Sequence, residues 1–168
     1  MKPLLFNVAE LLRRPATDRD VRVDLTAEEL GLDDARVAAD APVVVVARLE
    51  SLSDGVVVTG RVEAPWHDTC RRCLVPLEGV AVAPVDELYQ QHITSDEAFP
   101  IVADQIDLAP MARELVMLEL PMAPLCRDDC AGICPTCGAN RNEQPCSCAT
   151  PKVDDRWSAL DALREQLN

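Results

Sequence analysis

Eight cysteines constrain this chain more than any other feature of its sequence. Six of them fall between Cys126 and Cys148, where large apolar side chains are too scarce to build a separate hydrophobic core. The other two stand far upstream, in the run Cys70-Arg71-Arg72-Cys73. A segment of this kind must be cross-linked, either by disulfides or by metal ions.

The start of the chain and its apolar runs favour metal over disulfides. Asn7 and Glu10 interrupt the first apolar stretch and no small-residue cleavage site follows, so we predict no signal peptide. The longest apolar run, residues 41–47, is far shorter than the roughly 20 residues that cross a bilayer. We therefore expect a cytoplasmic protein without membrane contact, whose cysteines stay reduced.

The cysteine spacings predict two sites of four thiolates each. Two residues between cysteines let both sulfurs reach one ion about 2.3 Å away, and amides around a following glycine can donate to the thiolates. The preferred grouping places one ion between the upstream pair and the next two cysteines, and a second ion among the last four. These groups are Cys70, Cys73, Cys126 and Cys130, then Cys134, Cys137, Cys146 and Cys148.

Other arrangements of the cysteines remain open at this point. Cys126, Cys130, Cys134 and Cys137 can share one ion, which leaves the remaining four partly free. Rubredoxin-type iron also uses Cys-Pro-x-Cys-Gly, but it pairs that motif with a second C-x-x-C. Two zinc ions are the expectation, and because protein groups supply all four ligands, these ions are structural and the chain is not an enzyme.

Hydrophobic patterning predicts an α+β protein. Val43–Glu50 and Gly55–Glu63 are β-branched runs separated by an Asp-Gly turn, and Leu77–Val85 continues them as a meander. We expect an antiparallel sheet or open barrel-like domain with a central helix at Leu108–Leu120, together forming residues 1–125. Residues 126–168 form a zinc-stapled tail that ends in a short helix with Trp157 on its apolar face.

The charge of the chain restricts its partners. The formal net charge is −13, and residues 85–125 contain eight acidic residues and one basic residue. Binding to phosphate backbones needs clustered Lys and Arg, and stacking on bases needs aromatic side chains, of which the chain has five. A basic protein partner is favoured, although acidity also serves solubility alone.

Several motifs stand out together: Cys70-Arg71-Arg72-Cys73-Leu74, Gln105-Ile106-Asp107-Leu108, the C-x3-C-x3-C-P-x-C-G run from Cys126, and Asp155-Arg156-Trp157. In this combination the chain resembles the YceD family, named for large ribosomal RNA subunit accumulation. The resemblance implies a bacterial cytoplasmic factor needed for normal accumulation of large-subunit ribosomal RNA. It also implies a gene usually found beside that of a small zinc-binding protein of the large subunit.

Residue chemistry and resemblance together predict a non-catalytic ribosome biogenesis factor. We expect it to bind or escort a basic large-subunit ribosomal protein or a pre-ribosomal particle, with no small-molecule substrate. Two alternatives are a protein that stores or transfers zinc and a protein that binds ribosomal RNA directly. Arg71, Arg72, Arg127 and Arg141 are expected to offset thiolate charge rather than to bind phosphate.

Overall fold

The fold is α+β, with a five-stranded sheet covered on one face by three short helices. The computed structural model describes residues 3–94, 96 and 98–148. The strands are β1 (Leu5–Asn7), β2 (Asp18–Thr26), β3 (Pro42–Ser51), β4 (Gly55–Thr69), β5 (Pro76–Gln90), β6 (Phe99–Pro100) and β7 (Gln105–Asp107). The helices are α1 (Ala9–Arg13), α2 (Ala27–Leu30) and α3 (Ala109–Glu119).

The main sheet is an antiparallel meander with one parallel strand at its edge. Its order is β2-β3-β4-β5-β6, in which only β6 runs parallel to its neighbour, through Tyr89 opposite Phe99. β1 and β7 form a separate antiparallel pair. Within the described part of the chain the sheet stays open, with β2 and β6 as its edges, and no barrel closes. The expected α+β fold is thus confirmed.

Alternation along the strands places the core between the sheet and the helices. Val43, Val45, Ala47 and Leu49 of β3 are all buried, while the residues between them point to the opposite face. From α3, Met111, Ala112 and Val116 pack into the same core. This layering places α3 against β5. Both elements contribute to the acidic segment, residues 85–125.

Local signals predict several boundaries correctly. Thr26 and Glu29, which have the spacing of a capping box, form one at α2, and Gly31 ends that helix in the left-handed conformation with a φ of 72°. The β3–β4 hairpin turns at the Asp-Gly step. The predicted third strand extends in both directions, because β5 pairs with β4 over its whole length, from Pro76 to Gln90.

Two features go beyond the predicted elements. Residues 85–125 also contain the short strands β6 and β7. In the central helix, Leu118 lies at helical spacing from Leu108 and Met111 but is 75% exposed, whereas the other two are fully buried. The predicted C-terminal helix around Trp157 lies outside the described residues.

Candidate metal centre

The β4–β5 hairpin carries the first cysteine pair at its tip. β3 pairs with β4 only as far as Glu63, so the two longer strands project beyond the sheet as a ribbon. Cys70 and Cys73 lie in the turn of that ribbon, where the Cys70 amide donates to the Val75 carbonyl at 2.8 Å. The Leu74 amide donates to the Cys70 carbonyl at 2.9 Å. The turn thus holds both sulfurs on one side of the backbone.

The chain after α3 returns to this tip and brings the second cysteine pair. The Arg71 amide donates to the Pro124 carbonyl at 3.0 Å, and the Ile133 amide donates to the Arg72 carbonyl at 2.9 Å. Cys130 is buried against Cys70 and Cys73, with Leu125, Val75 and Leu77 packed around them. The first cluster therefore joins the sheet to the cysteine-rich segment across the predicted boundary at residue 125.

The sulfurs of the first cluster have the separation of a tetrahedral site. Cys70 Sγ lies 3.8 Å from Cys130 Sγ, and Cys73 Sγ lies 3.6 Å from Cys126 Sγ. Four sulfurs at about 2.3 Å from one tetrahedral ion are about 3.8 Å apart, whereas a disulfide needs about 2.05 Å. These spacings suit one ion among four thiolates and are longer than a disulfide bond between the same pairs.

The second cluster is built on a turn of the same design. The Cys134 amide donates to the Ala139 carbonyl at 2.8 Å, and the Gly138 amide donates to the Cys134 carbonyl at 2.9 Å. Gly138, with a φ of 73°, occupies the position that Leu74, with a φ of 62°, occupies in the first turn. Cys146 and Cys148 complete this cluster, in which Cys134 is buried but Cys137 is exposed.

All eight predicted ligands thus fall into two sets of four. Within each set the candidate ligand atoms lie within 4.8 Å of one another. The sets are those of the preferred grouping, and the alternative that joins Cys126 and Cys130 to Cys134 and Cys137 is not the arrangement observed. Four thiolates in a tetrahedral spacing form a donor set that fits zinc.

The pKa pattern shows why each cluster favours a cation. Burial disfavours the charged form of Cys70, but amides of Cys126, Cys73 and Arg72 point at its sulfur and lower its pKa to about 6. Amides of Cys137 and Thr136 lower the pKa of Cys134 to about 6 in the same way. Burial and the neighbouring thiolates raise the pKa of Cys126 to about 12. Like charges this close cannot all ionise alone, and a dication at the centre removes the conflict.

Asn142 is the residue at this centre that sequence reasoning missed. Its Nδ2 donates to Cys130 Sγ at 3.3 Å, while its Oδ1 accepts from the Ala131 amide at 2.8 Å and from Arg127 at 2.7 Å. Burial opposes ionisation of Cys130, but the bond from Asn142 helps to lower the pKa of that thiol. Its one sequence signal is its position, two residues after the C-P-x-C-G-x-N run of residues 134–140.

The arginines beside the cysteines bond to oxygen atoms. Arg72 donates to the carbonyls of Asp128 and Cys130 at 3.1 and 3.2 Å, which holds the ligand loop against the hairpin tip. Arg71 pairs with Asp68 at 3.3 Å, and Arg127 with Asp129 at 3.2 Å. These guanidinium groups thus hold the loops in place, and their expected offset of thiolate charge stays a prediction.

Comparison with known proteins adds a family to this geometry. A family model described as large ribosomal RNA subunit accumulation protein YceD matches residues 58–164, a span that contains all eight cysteines. The chain belongs to the YceD family. No solved structure matches it.

Two mycobacterial relatives extend the similarity over nearly the whole chain. An uncharacterized protein of Mycobacterium tuberculosis is 33% identical over 166 residues, covering 94% of this chain and 80% of the relative. An uncharacterized protein of Mycobacterium leprae is 30% identical over 168 residues, covering 95% and 77%.

A plant relative carries the family description in its name. The chloroplastic large ribosomal RNA subunit accumulation protein YCED homolog 1 of Arabidopsis thaliana is 38% identical over 69 residues, or 41% of this chain and 22% of the relative. Among the described residues, no helix is long and apolar enough to cross a membrane.

Proposed function

We propose that this YceD-family protein is a non-catalytic cytoplasmic factor that supports accumulation of large-subunit ribosomal RNA by binding a basic large-subunit ribosomal protein. The observation that carries the proposal is the combination of family membership with a strongly acidic chain. A partner of opposite charge associates fast, because the summed field steers the encounter.

The two cysteine clusters are proposed to hold structural zinc. Each would be filled by four thiolates, so no coordination position remains for water or a substrate. In the first cluster the ion would join the β4–β5 tip to the segment after α3; in the second it would fold residues 134–148 on themselves. The division into residues 1–125 and a stapled tail, 126–168, remains part of this proposal.

Filling the sites makes the chain more acidic. Eight thiolates and two dications together add four negative charges, taking the formal charge of −13 to about −17. Several arginines already pair with carboxylates of the same chain instead of standing free for phosphate, including Arg22 with Asp24 and Arg48 with Asp18. Both facts favour a protein partner over naked RNA.

Binding to separated ribosomal components tests this proposal. Immobilised zinc-loaded protein would be offered two probes in parallel: the proteins extracted from large ribosomal subunits, and deproteinised large-subunit RNA. We expect one or a few basic proteins, identified by mass spectrometry, to be retained at low salt and released as salt rises, with no retention of RNA. Retention of RNA with steep salt dependence, and of no basic protein, would contradict the proposal.

The exposure of the second cluster keeps zinc transfer as a second candidate. Cys137 is exposed and Cys146 and Cys148 are half-buried, whereas three of the four sulfurs of the first cluster are buried. Such a site exchanges metal more readily than an enclosed one. If the second ion passes to an apo zinc protein while residues 134–148 keep their protection from proteolysis, transfer is favoured; if its loss unfolds that segment, the ion is structural.

A further inference from the structure

A groove runs between α3 and the end of the sheet where β5 meets β6. Its volume is about 390 Å³. Apolar side chains form its floor and carboxylates surround them. Its lining includes Glu87, Asp96, Phe99, Glu114, Leu115 and Leu118. The metal clusters contribute no residue to this lining.

The floor of the groove is apolar and firmly held. Phe99 stacks on Tyr89 with ring centroids 5.2 Å apart, and Tyr89 is itself fully buried. Leu115 is half-buried and packs against the core, while Leu118 in the next turn of α3 is 75% exposed. A large apolar side chain left in water beside a preformed groove marks an interaction surface.

The charge around the groove has one sign. Glu87, Asp96 and Glu114 line it, and no Arg or Lys is among the described residues of the lining. Arg113, the basic residue of this acidic segment, donates to the Leu30 carbonyl at 3.2 Å, so its charge is directed toward α2. Burial, and after it the charges of Glu87 and Asp107, raise the pKa of the Tyr89 phenol beneath this floor.

Charge complementarity distinguishes among the molecules that could occupy the groove. Nucleic acid and anionic lipid would bring negative charge to three carboxylates. A second copy of this chain would place the same carboxylates opposite one another. The chain's own residues 151–168 carry four acidic and three basic residues, so they offer no net positive charge. A Lys- and Arg-rich protein segment with an apolar side chain satisfies both the floor and the surrounding charge.

We propose that this groove is the docking site for the basic partner, receiving an apolar side chain against Leu115 and Leu118 while flanking cations face Glu87, Asp96 and Glu114. The inference rests on the proposed function and narrows it to one surface. The charges would govern the rate of association and the apolar contact the lifetime of the complex.

Matched charge variants test the surface. The probe is the basic large-subunit protein that the wild-type chain retains in the binding experiment above. The groove triple Glu87→Gln, Asp96→Asn, Glu114→Gln is compared with a control triple, Asp40→Asn, Glu50→Gln, Glu78→Gln, whose exposed carboxylates lie elsewhere. Both remove three negative charges. We expect the association rate constant at low salt to fall about tenfold for the groove triple and less than about twofold for the control.

Two substitutions of apolar residues test the apolar contact in the groove separately from its charge. Leu118→Gln should shorten the lifetime of the complex about fivefold at any salt concentration. Val80→Thr, at a residue 58% exposed on the outer face of the sheet, should leave that lifetime unchanged. Unaltered melting temperatures would show that each variant is folded.

The outcomes distinguish this inference from the proposed function. If wild-type protein binds a basic partner but both triple variants lower the association rate constant by the same factor, the groove is not the docking site. The proposed function then stands. If wild-type protein retains no basic protein, both proposals fall. If sedimentation reveals a dimer that Leu118→Gln disperses, a second copy occupies the groove and the inference is overturned.

Discussion

At the scale of single residues, Asn142 ties three parts of the first cluster together. One amide group contacts the Cys130 sulfur, the Ala131 backbone and the Arg127 side chain. Side chains that orient metal ligands in this way commonly change metal affinity 10- to 100-fold when mutated. The cluster therefore depends on a residue that is not itself a ligand.

Replacing Asn142 with Asp should weaken the first metal site. A carboxylate loses the N–H that stabilises the Cys130 thiolate and places a negative charge beside it, so the pKa of Cys130 rises. Protons then displace the ion at a higher pH than in wild-type protein. During acid titration, followed with a chromogenic chelator, the first site should release its metal at a higher pH in the variant than in wild-type protein. The second site, which should release its metal at the same pH in both proteins, is the internal control. Unchanged release at both sites would show that Asn142 does not support the cluster.

Leu74 and Gly138 allow a comparison of two equivalent backbone positions. Both follow a C-x-x-C pair with positive φ, where a side chain costs about 1 kcal/mol. A Cβ at Gly138 would meet no atom within 4 Å, so Gly138→Ala reports backbone strain alone.

Gly138→Ala should weaken metal binding at the second site about fivefold, which corresponds to about 1 kcal/mol. Leu74→Gly, at an exposed side chain, should leave the first site unchanged or strengthen it. Chelator competition measures both effects. Equal losses at the two positions would mean that side-chain contacts, not φ, decide stability there.

At the scale of elements, two arginines join the α2 region to α3. Arg36 makes a bidentate pair with Asp34, both bonds at 2.8 Å, and donates to the Pro121 carbonyl just after α3 at 2.9 Å. Arg113 of α3 reaches back to the Leu30 carbonyl. These bonds hold the helices in one layer over the sheet.

Asp34→Asn should destabilise the metal-free sheet core by about 1–2 kcal/mol at pH 7. The hydrogen bonds from Arg36 lower the pKa of Asp34 from 3.8 to about 2. A lowered pKa gives stability that is complete above 3.8 and disappears as the pH falls through about 2. Urea unfolding with chelator present should therefore separate variant and wild type at pH 7 but not near pH 2. Asp33→Asn, an exposed neighbour, is the control; a loss equal to that of Asp34→Asn would contradict this explanation.

Sequence patterns predicted the helices, strands and turns better than the exposure and contacts of individual side chains. The Asp-Gly turn, the Thr26 capping box and the C-x-x-C spacing are local signals, and each gave the structure observed. The exposure of Leu118 was not predictable in this way, because helical spacing shows which residues share a face but not how far the sheet beneath extends. Asn142 was missed for a related reason, since its partners are up to fifteen residues away and meet it only after the loop closes.

At the scale of the whole molecule, the two cysteine clusters connect different parts of the chain. The first cluster unites residues separated by 60 positions, Cys70 and Cys130, and so connects the sheet to the chain beyond α3. The second is confined to residues 134–148. The acidic groove lies between α3 and the end of the sheet where β5 meets β6, and its lining includes no cluster residue. Metal binding and partner binding are thus proposed for separate surfaces of one fold.

The metal content of the reduced protein tests the central claim most directly. Native mass spectrometry beside elemental analysis should find two zinc ions per chain and all eight cysteines free of disulfides. In Cys134→Ser protein the count should fall to one ion while the sheet core stays folded, because only the second site is lost. A wild-type stoichiometry of one ion per chain, or four disulfides and no metal, would contradict the account.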